Sequence, residues 1–227
     1  MNLITPMIIG AIIGSRFWEV FFFEWGYYSQ HPGDIIAIWK GGLSIQGGIV
    51  GAIIVGFWYV KKHKISFWEL ADLTAPGLIL AQSVGRDANL MNGDAFGDPT
   101  GSNFGLLYPE GTNARLTFGD KPLWPAEVWE GQMDVIIFAI IFMLMQTKMK
   151  RGYLFLIYNI LYSAGRFLLE MLRGDSPRYL FHWTTAQWTA VVVIAISIIA
   201  GIYIHFKGET YSFMPDKEEK KEEAESV

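Results

Sequence analysis

Four side chains whose types could do chemistry recur late in the chain: Tyr162, Arg166, Glu170 and Arg173. Their steps of four, four and three place them on one face of a helix. Arg166 lies about seven residues from the outer end of an apolar run, on the order of 10 Å below it. A charge near a span's centre costs roughly 2.5–3.5 kcal/mol to insert. Two readings account for it: an internal Arg166–Glu170 ion pair, or a cationic site for an anionic ligand entering from lipid. A second cluster runs Gly85-Arg86-Asp87-Ala88-Asn89-Leu90-Met91-Asn92-Gly93-Asp94-Ala95-Phe96-Gly97. Arg86 there is an interfacial arginine snorkelling to water, or a phosphate grip built with Asn89, Asn92 and Asp94, since a guanidinium donates in forked pairs. A third stretch, Gly41 to Ala52, sets paired glycines beside Gln46. Gly47 and Gly51 have GxxxG spacing, as do Gly10 and Gly14, which suits close helix packing and also opens room beside Gln46. Arg16 and Glu19 read as a buried structural pair.

The elements that must hold these groups are membrane spans. Hydrophobic residues make up 52% of the chain and charged ones 18%, and the charges cluster between long apolar runs. Each bilayer crossing needs roughly 20 mostly apolar residues. Six segments are expected to cross: 3–23, 42–60, 67–85, 132–147, 153–172 and 186–206. The third is interrupted by Glu69, Asp72 and Pro76. The turns Lys61-Lys62-His63-Lys64 and Lys148-Met149-Lys150-Arg151, with Lys207, face the cytoplasm by the positive-inside rule. Both termini then lie inside, and 24–41, 86–131 and 173–185 lie outside. The fold expected is an all-α integral membrane bundle with a structured outer loop region. Residues 1–210 form its domain, with an outer cap at about 86–131 carrying Phe96, Phe104, Tyr108, Phe118 and Trp124. Residues 211–227 form a charged cytoplasmic tail.

The apolar run from Leu3 to Phe23 is too long for a signal peptide, lacks a basic leader and holds Arg16 and Glu19. Cysteine is absent, which excludes disulfides and thiolate chemistry in this chain. No metal-ligand cluster is visible. A net charge of −4 offers nothing to nucleic acid.

Together these clusters resemble the prolipoprotein diacylglyceryl transferase family. Its signature is close to G-R-x-G-N-F-x-N-x-E-x-x-G, matched here by Arg86, Asn89, Asn92 and Gly97, with Asp94 in place of the glutamate. Its glycine-rich segment is similar to Gly41–Ala52, its G-A-R to Gly14-Ser15-Arg16, and its Y-x-x-x-R-x-x-x-E-x-x-R face to Tyr162, Arg166, Glu170 and Arg173. The loop Phe96-Gly97-Asp98-Pro99-Thr100 with Phe104-Gly105 fits as well. The resemblance runs from about residue 8 to about 205. This chain departs from the pattern in three places. Gln46 stands where the family often has a histidine. The H-P-x-Q-x-Y-E segment reads Trp124-Pro125-Ala126-Glu127-Val128-Trp129-Glu130. The family's extra N-terminal span, which bears a tyrosine, has no counterpart, so the chain looks like a divergent, N-terminally short member.

The resemblance implies transfer of diacylglyceryl from phosphatidylglycerol to the lipobox cysteine of a prolipoprotein signal peptide, forming a thioether. It also implies a multi-pass protein of the bacterial cytoplasmic membrane, its site toward the outer leaflet, and no cofactor. Arg86 and Arg166 would clamp the phosphate. Asn89, Asn92, Gly97 and Tyr162 would shape the headgroup pocket, and Glu170 and Arg173 would orient Arg166 or gate the pocket. Asp94 and Glu130 are the carboxylates left to act on the thiol, and Gln46 takes the histidine's place. Two other readings stand beside this one. One is a lipid-binding paralogue that lost catalysis, favoured by Gln46 and the altered 124–130 segment. The other is a small transporter, disfavoured by the lack of an internal repeat.

Overall fold

A computed structural model describes residues 3–211, and the charged tail expected over 211–227 lies, after Tyr211, outside them. The described chain is helical apart from short bridges and one two-stranded ribbon. Its helices are α1 (Ile4–Trp18), α2 (Trp25–Tyr28), α3 (Ile45–His63), α4 (Phe67–Asn92), α5 (Asn113–Phe118), α6 (Ala126–Leu144), α7 (Tyr153–Leu169) and α8 (Thr185–Lys207). Three helical stretches are long and apolar enough to cross a bilayer: Ile4–Phe23, Tyr153–Leu172 and Thr185–Lys207. The other long helices are diluted by polar residues. Gln46, Lys61 and Lys62 lie on α3, Glu69, Asp72, Arg86 and Asp87 on α4, and Glu127, Glu130 and Asp134 on α6. Outward-facing Ile196, Ile199 and Ile202 are more than half exposed. An apolar surface of that kind suits lipid as solvent, and the protein is a membrane protein.

The chain divides into two compact units between Leu70 and Ala71. In the first unit α1 packs on α3 through the glycines whose spacing pointed to packing. A Cβ at Gly14 would strike the Gly47 carbonyl oxygen, and one at Gly51 would strike that of Gly10. Only glycine permits that approach. The helix of α1 loosens at its end into a π-helical turn, Glu19–Phe23.

The second unit is built on α4, α6, α7 and α8. Ala75, Ile79, Ile137, Ile141, Leu154 and Tyr158 form its core. Asp72, fully buried on α4, accepts hydrogen bonds from the Gly152 N–H (2.6 Å) and Phe155 N–H (2.8 Å) at the start of α7. Donors left over at a helix N-terminus stabilise a carboxylate, which explains how a charge sits in the interrupted third span. That helix also runs past the expected boundary at residue 85. No glycine or proline intervenes between Arg86 and Asn92, so the helix continues until Gly93, at φ +69°, ends it. The cap therefore begins at Gly93. It has its own small core of Phe96, Tyr108, Ala114 and Leu123, while Phe104 stays exposed. At the other end of α7, β1 (Met149–Lys150) pairs antiparallel with β2 (Thr210–Tyr211).

Candidate functional site

The second unit gathers three arginines from two helices and the turn after α7. Two glycines let those helices close. A Cβ at Gly131 on α6 would come within 3.3 Å of the Arg86 Cβ on α4, and one at Gly165 on α7 would collide with the Met133 sulfur on α6. Ser83 also donates to the Gly131 carbonyl at 3.1 Å. Glu130 and Arg166, each next to one of these glycines, are thereby brought face to face.

Glu130 is the hub. It is fully buried. Its Oε1 lies 3.1 Å from Arg86 Nη2, and its Oε2 lies 2.8 Å from Arg166 Nη1 and 3.8 Å from Arg173 Nη1. Arg166 Nη2 turns to the equally buried Glu170, one helical turn on, at 2.7 Å. The internal ion pair expected from sequence is therefore present, and it is one spoke of a larger network. Arg173 is bidentate to Asp175, at 2.7 and 2.6 Å. Arg86 differs from the other two. It makes a single ion pair, and its Nε, like Arg173 Nη1, is buried with no hydrogen-bond partner among the described residues. Three guanidiniums meet the carboxylates of Glu130, Glu170 and Asp175, and Arg86 retains an unused donor. Such a group is matched by an oxyanion that accepts forked hydrogen bonds.

The cap is stitched to this cluster by backbone. Gly97 bridges Arg173, the Asp98 N–H donates to the Leu172 carbonyl (2.8 Å), and the Gly174 N–H donates to that of Phe96 (3.1 Å). A Cβ at Gly97 would strike the Trp124 carbonyl, so the signature's last glycine is sterically required. Tyr162 stands half-buried one turn before Arg166, and Asn89 half-buried one turn after Arg86. Asn92 is exposed at the end of α4. Asp94 accepts a 2.7 Å hydrogen bond from Asn113 at the start of α5.

Gln46 and Arg16 belong to the first unit. Gln46 is exposed in the first turn of α3 and accepts from the Ser44 hydroxyl at 2.7 Å. Arg16 is buried but does not pair with Glu19. It donates to the carbonyls of Asp34, Ile35, Ala37, Gly41 and Gly42, and its guanidinium lies 4.9 Å from the Tyr28 ring centre. The structural reading of Arg16 holds, with backbone carbonyls in place of the glutamate.

Sequence reasoning gave no role to two carboxylates, Glu127 and Asp134. Glu127, fully buried, accepts from the Tyr108 hydroxyl and ties the cap to the start of α6. Burial and that hydrogen bond push the Tyr108 phenol up, so it stays a donor at working pH. Asp134 is fully buried one turn beyond Glu130, and neither of its oxygens has a hydrogen-bond partner among the described residues. The signal was present: Glu127, Glu130 and Asp134 stand three and four residues apart, an acidic stripe on an otherwise apolar helix.

Residues 1–203 match the family described as prolipoprotein diacylglyceryl transferase. The chain belongs to the prolipoprotein diacylglyceryl transferase family. It is 38% identical over 210 residues to the phosphatidylglycerol–prolipoprotein diacylglyceryl transferase of Bacillus velezensis, covering 92% of this chain and 77% of that one. The enzyme of the same name from Listeria monocytogenes is 37% identical over 222 residues, with 95% and 79% covered. That of Symbiobacterium thermophilum is 35% identical over 193 residues, with 85% and 72% covered.

Proposed function

We propose that this chain transfers the diacylglyceryl group of phosphatidylglycerol to the lipobox cysteine of a prolipoprotein. The observation that carries the reading is the buried arginine cluster on Glu130, with Arg86 holding an unused donor, in a chain of this family. The thiol sulfur attacks the glycerol carbon bearing the phosphate. A C–S bond forms, the C–O bond breaks, and glycerol phosphate leaves with the electron pair while the thiol proton passes to a base. Charge grows on the departing phosphate, and donors already aimed at it lower the barrier without reorganising. Arg86 and Arg166 fill that role. Glu130, Glu170 and Arg173 set the direction of the clamp. Asn89, Asn92, Gly97 and Tyr162 line the headgroup side. Asp94, steadied by Asn113, is the base. Gln46 supplies a neutral amide where relatives of the family often carry imidazole.

Six crossings fit this arrangement, α1, α3, α4, α6, α7 and α8 serving in turn. The arginine cluster gathers at the Arg173 end of α7 and the lysine-bearing ribbon at the Tyr153 end. By the positive-inside rule the ribbon faces the cytoplasm and the cluster the outer leaflet of a bacterial cytoplasmic membrane. No cofactor is needed, because the displacement moves no net electrons and the leaving group is already a phosphate.

The test is transfer from phosphatidylglycerol to a lipobox peptide by the purified protein. Arg86→Ala and Arg166→Ala each lower turnover by about 10²–10³-fold. Absence of transfer from a folded sample that still binds phosphatidylglycerol assigns the chain instead to lipid binding without catalysis. Solute flux through liposomes without transfer makes it a transporter.

A further inference from the structure

The transfer reaction leaves one buried carboxylate of α6 without a task. Asp134 sits one turn beyond Glu130 and is fully buried. Neither of its oxygens has a hydrogen-bond partner among the described residues. An ionised carboxylate there lacks donors, and a protonated one lacks an acceptor. A buried polar group left in that state costs about 1–3 kcal/mol, and more when charged. The other fully buried carboxylates of this unit are served. Asp72 takes two amides at the start of α7, Glu127 takes the Tyr108 hydroxyl, and Glu130 and Glu170 take guanidiniums. The groups near Asp134 are engaged elsewhere. Arg86 and Arg166 act on it through their charge, but Arg86 turns Nη2 to Glu130, and Arg166 divides itself between Glu130 and Glu170. The Tyr158 hydroxyl, on the facing helix, goes to Gln82 at 3.0 Å.

The charge count sharpens the question. Arg86, Arg166 and Arg173 already meet Glu130, Glu170 and Asp175, so Asp134 adds a carboxylate with no cation to match it. When ionised it repels an anion held at Arg86 and Arg166. A site that keeps such a group discriminates against any anion that gives the carboxylate nothing in return. A ligand that suits both carries hydroxyls just beyond its phosphate. A carboxylate has two acceptor oxygens, and a vicinal diol has two donors to give them. The turn from Glu130 to Asp134 rises about 5.4 Å, short enough for a glycerol unit to span. Arg86 and Arg166 keep 19% and 15% of their side chains exposed, so a phosphate arrives over them with its glycerol pointing on toward Asp134.

We propose that Asp134 reads the headgroup: it accepts hydrogen bonds from the two free hydroxyls of the phosphatidylglycerol glycerol while Arg86 and Arg166 hold the phosphate. The assignment rests on the phosphatidylglycerol reading of this cluster and deepens it. Asp134 selects the lipid, a task separate from receiving the thiol proton and from clamping the leaving phosphate.

The probes are sn-glycerol 1-phosphate and n-propyl phosphate, which share a phosphate and a three-carbon skeleton and differ only in the diol. Binding to the intact protein in phosphatidylcholine nanodiscs is read by calorimetry. The wild type prefers glycerol phosphate by at least about tenfold, the worth of hydrogen bonds to a charged acceptor. Asp134→Asn keeps the shape and removes the charge. It weakens glycerol phosphate by about tenfold, leaves propyl phosphate as tight or tighter, and melts no lower than wild type, because no partner is lost. Absence of a preference in the wild type, or a preference unchanged in Asp134→Asn, overturns the proposal. A parallel loss of both ligands, or a lower melting temperature with the preference intact, marks Asp134 as structural and overturns it equally. Should the variant fail to fold, the wild type decides with 2-hydroxypropyl phosphate, whose single hydroxyl must recover part of the difference; affinity equal to that of propyl phosphate refutes the assignment. Transfer from phosphatidylglycerol to a lipobox peptide, followed in parallel, tests the transferase reading by itself. Transfer without a diol preference removes Asp134 alone, and a diol preference without transfer leaves the headgroup site in a protein that binds and does not catalyse.

Discussion

Replacing Glu130 with glutamine tests the architecture of the arginine cluster most directly. The side chain is fully buried and lies 3.1, 2.8 and 3.8 Å from nitrogens of Arg86, Arg166 and Arg173. At an effective dielectric near 20, each such contact is worth about 4 kcal/mol before desolvation. Breaking a buried pair from one side costs about 3–5 kcal/mol, because the remaining charge keeps its burial and loses its partner. Glutamine preserves shape and one acceptor oxygen but no charge, leaving three guanidiniums around a neutral amide. The expected loss is about 3–5 kcal/mol, read as a fall of about 6–20 °C in thermal unfolding in detergent. Turnover should fall further than affinity. The cluster becomes more positive, so glycerol phosphate inhibits at least as well as before. The clamp loses its aim, and a displacement of about 1 Å costs on the order of 10²-fold in rate. Glu170→Gln, which removes a partner from Arg166 alone, should cost less in both assays. If Glu130→Gln unfolds within about 2 °C of wild type and transfers at a comparable rate, the hub assignment is wrong.

Three further outcomes follow from the same geometry. Gly14→Ala puts a methyl against the Gly47 carbonyl and within 3.0 Å of the Gly51 Cα; it should cost about 1–3 kcal/mol of thermal stability, whereas Gly26→Ala, with nothing within 4 Å, should cost none. Tyr108→Phe removes the only hydrogen bond given to Glu127 by a side chain among the described residues, and should lower stability by about 1–3 kcal/mol with faster amide exchange in 93–125. In the loop between α2 and α3, hydrogen bonds from Lys40 and Tyr27 hold the Asp34 carboxyl below its ordinary value. Its contribution is complete above the usual carboxylate range and is lost as pH falls through the depressed value. Lys40→Ala should move the Asp34 transition upward in a carbon-detected NMR titration, and an unmoved transition would remove Lys40 as its cause.

Much of the molecule was legible from periodicity. Each of the six apolar runs is a helix, and Tyr162 and Arg166 lie on α7 with Glu170 in the turn that follows it, while Arg173 stands past the helix end in extended backbone. Of the two readings of the glycine pairs, close packing is the one seen, with Gly10 and Gly14 of α1 meeting Gly47 and Gly51 of α3. The partners of the arginines were not legible. Glu130 reaches Arg86 and Arg166 across 44 and 36 positions of sequence, and no local pattern encodes which carboxylate a guanidinium will meet once helices dock. The same limit hid the embrace of Arg16, since backbone carbonyls carry no residue signature. The end of α4 was misplaced because the polar signature Arg86–Asn92 resembles a loop in composition while remaining compatible with helix.

Asp72 has a consequence for how this protein is made. The Gly152 amide it accepts from is 80 residues further along the chain. At about 5–20 residues per second, ribosomes take about 4–16 s to cover that distance. For that interval α4 holds a carboxylate whose capping amides have not been synthesised. The contact that Asp72 makes between α4 and the start of α7 is therefore closed only after α7 has been synthesised. Birth of the arginine cluster is thereby timed to the emergence of α7.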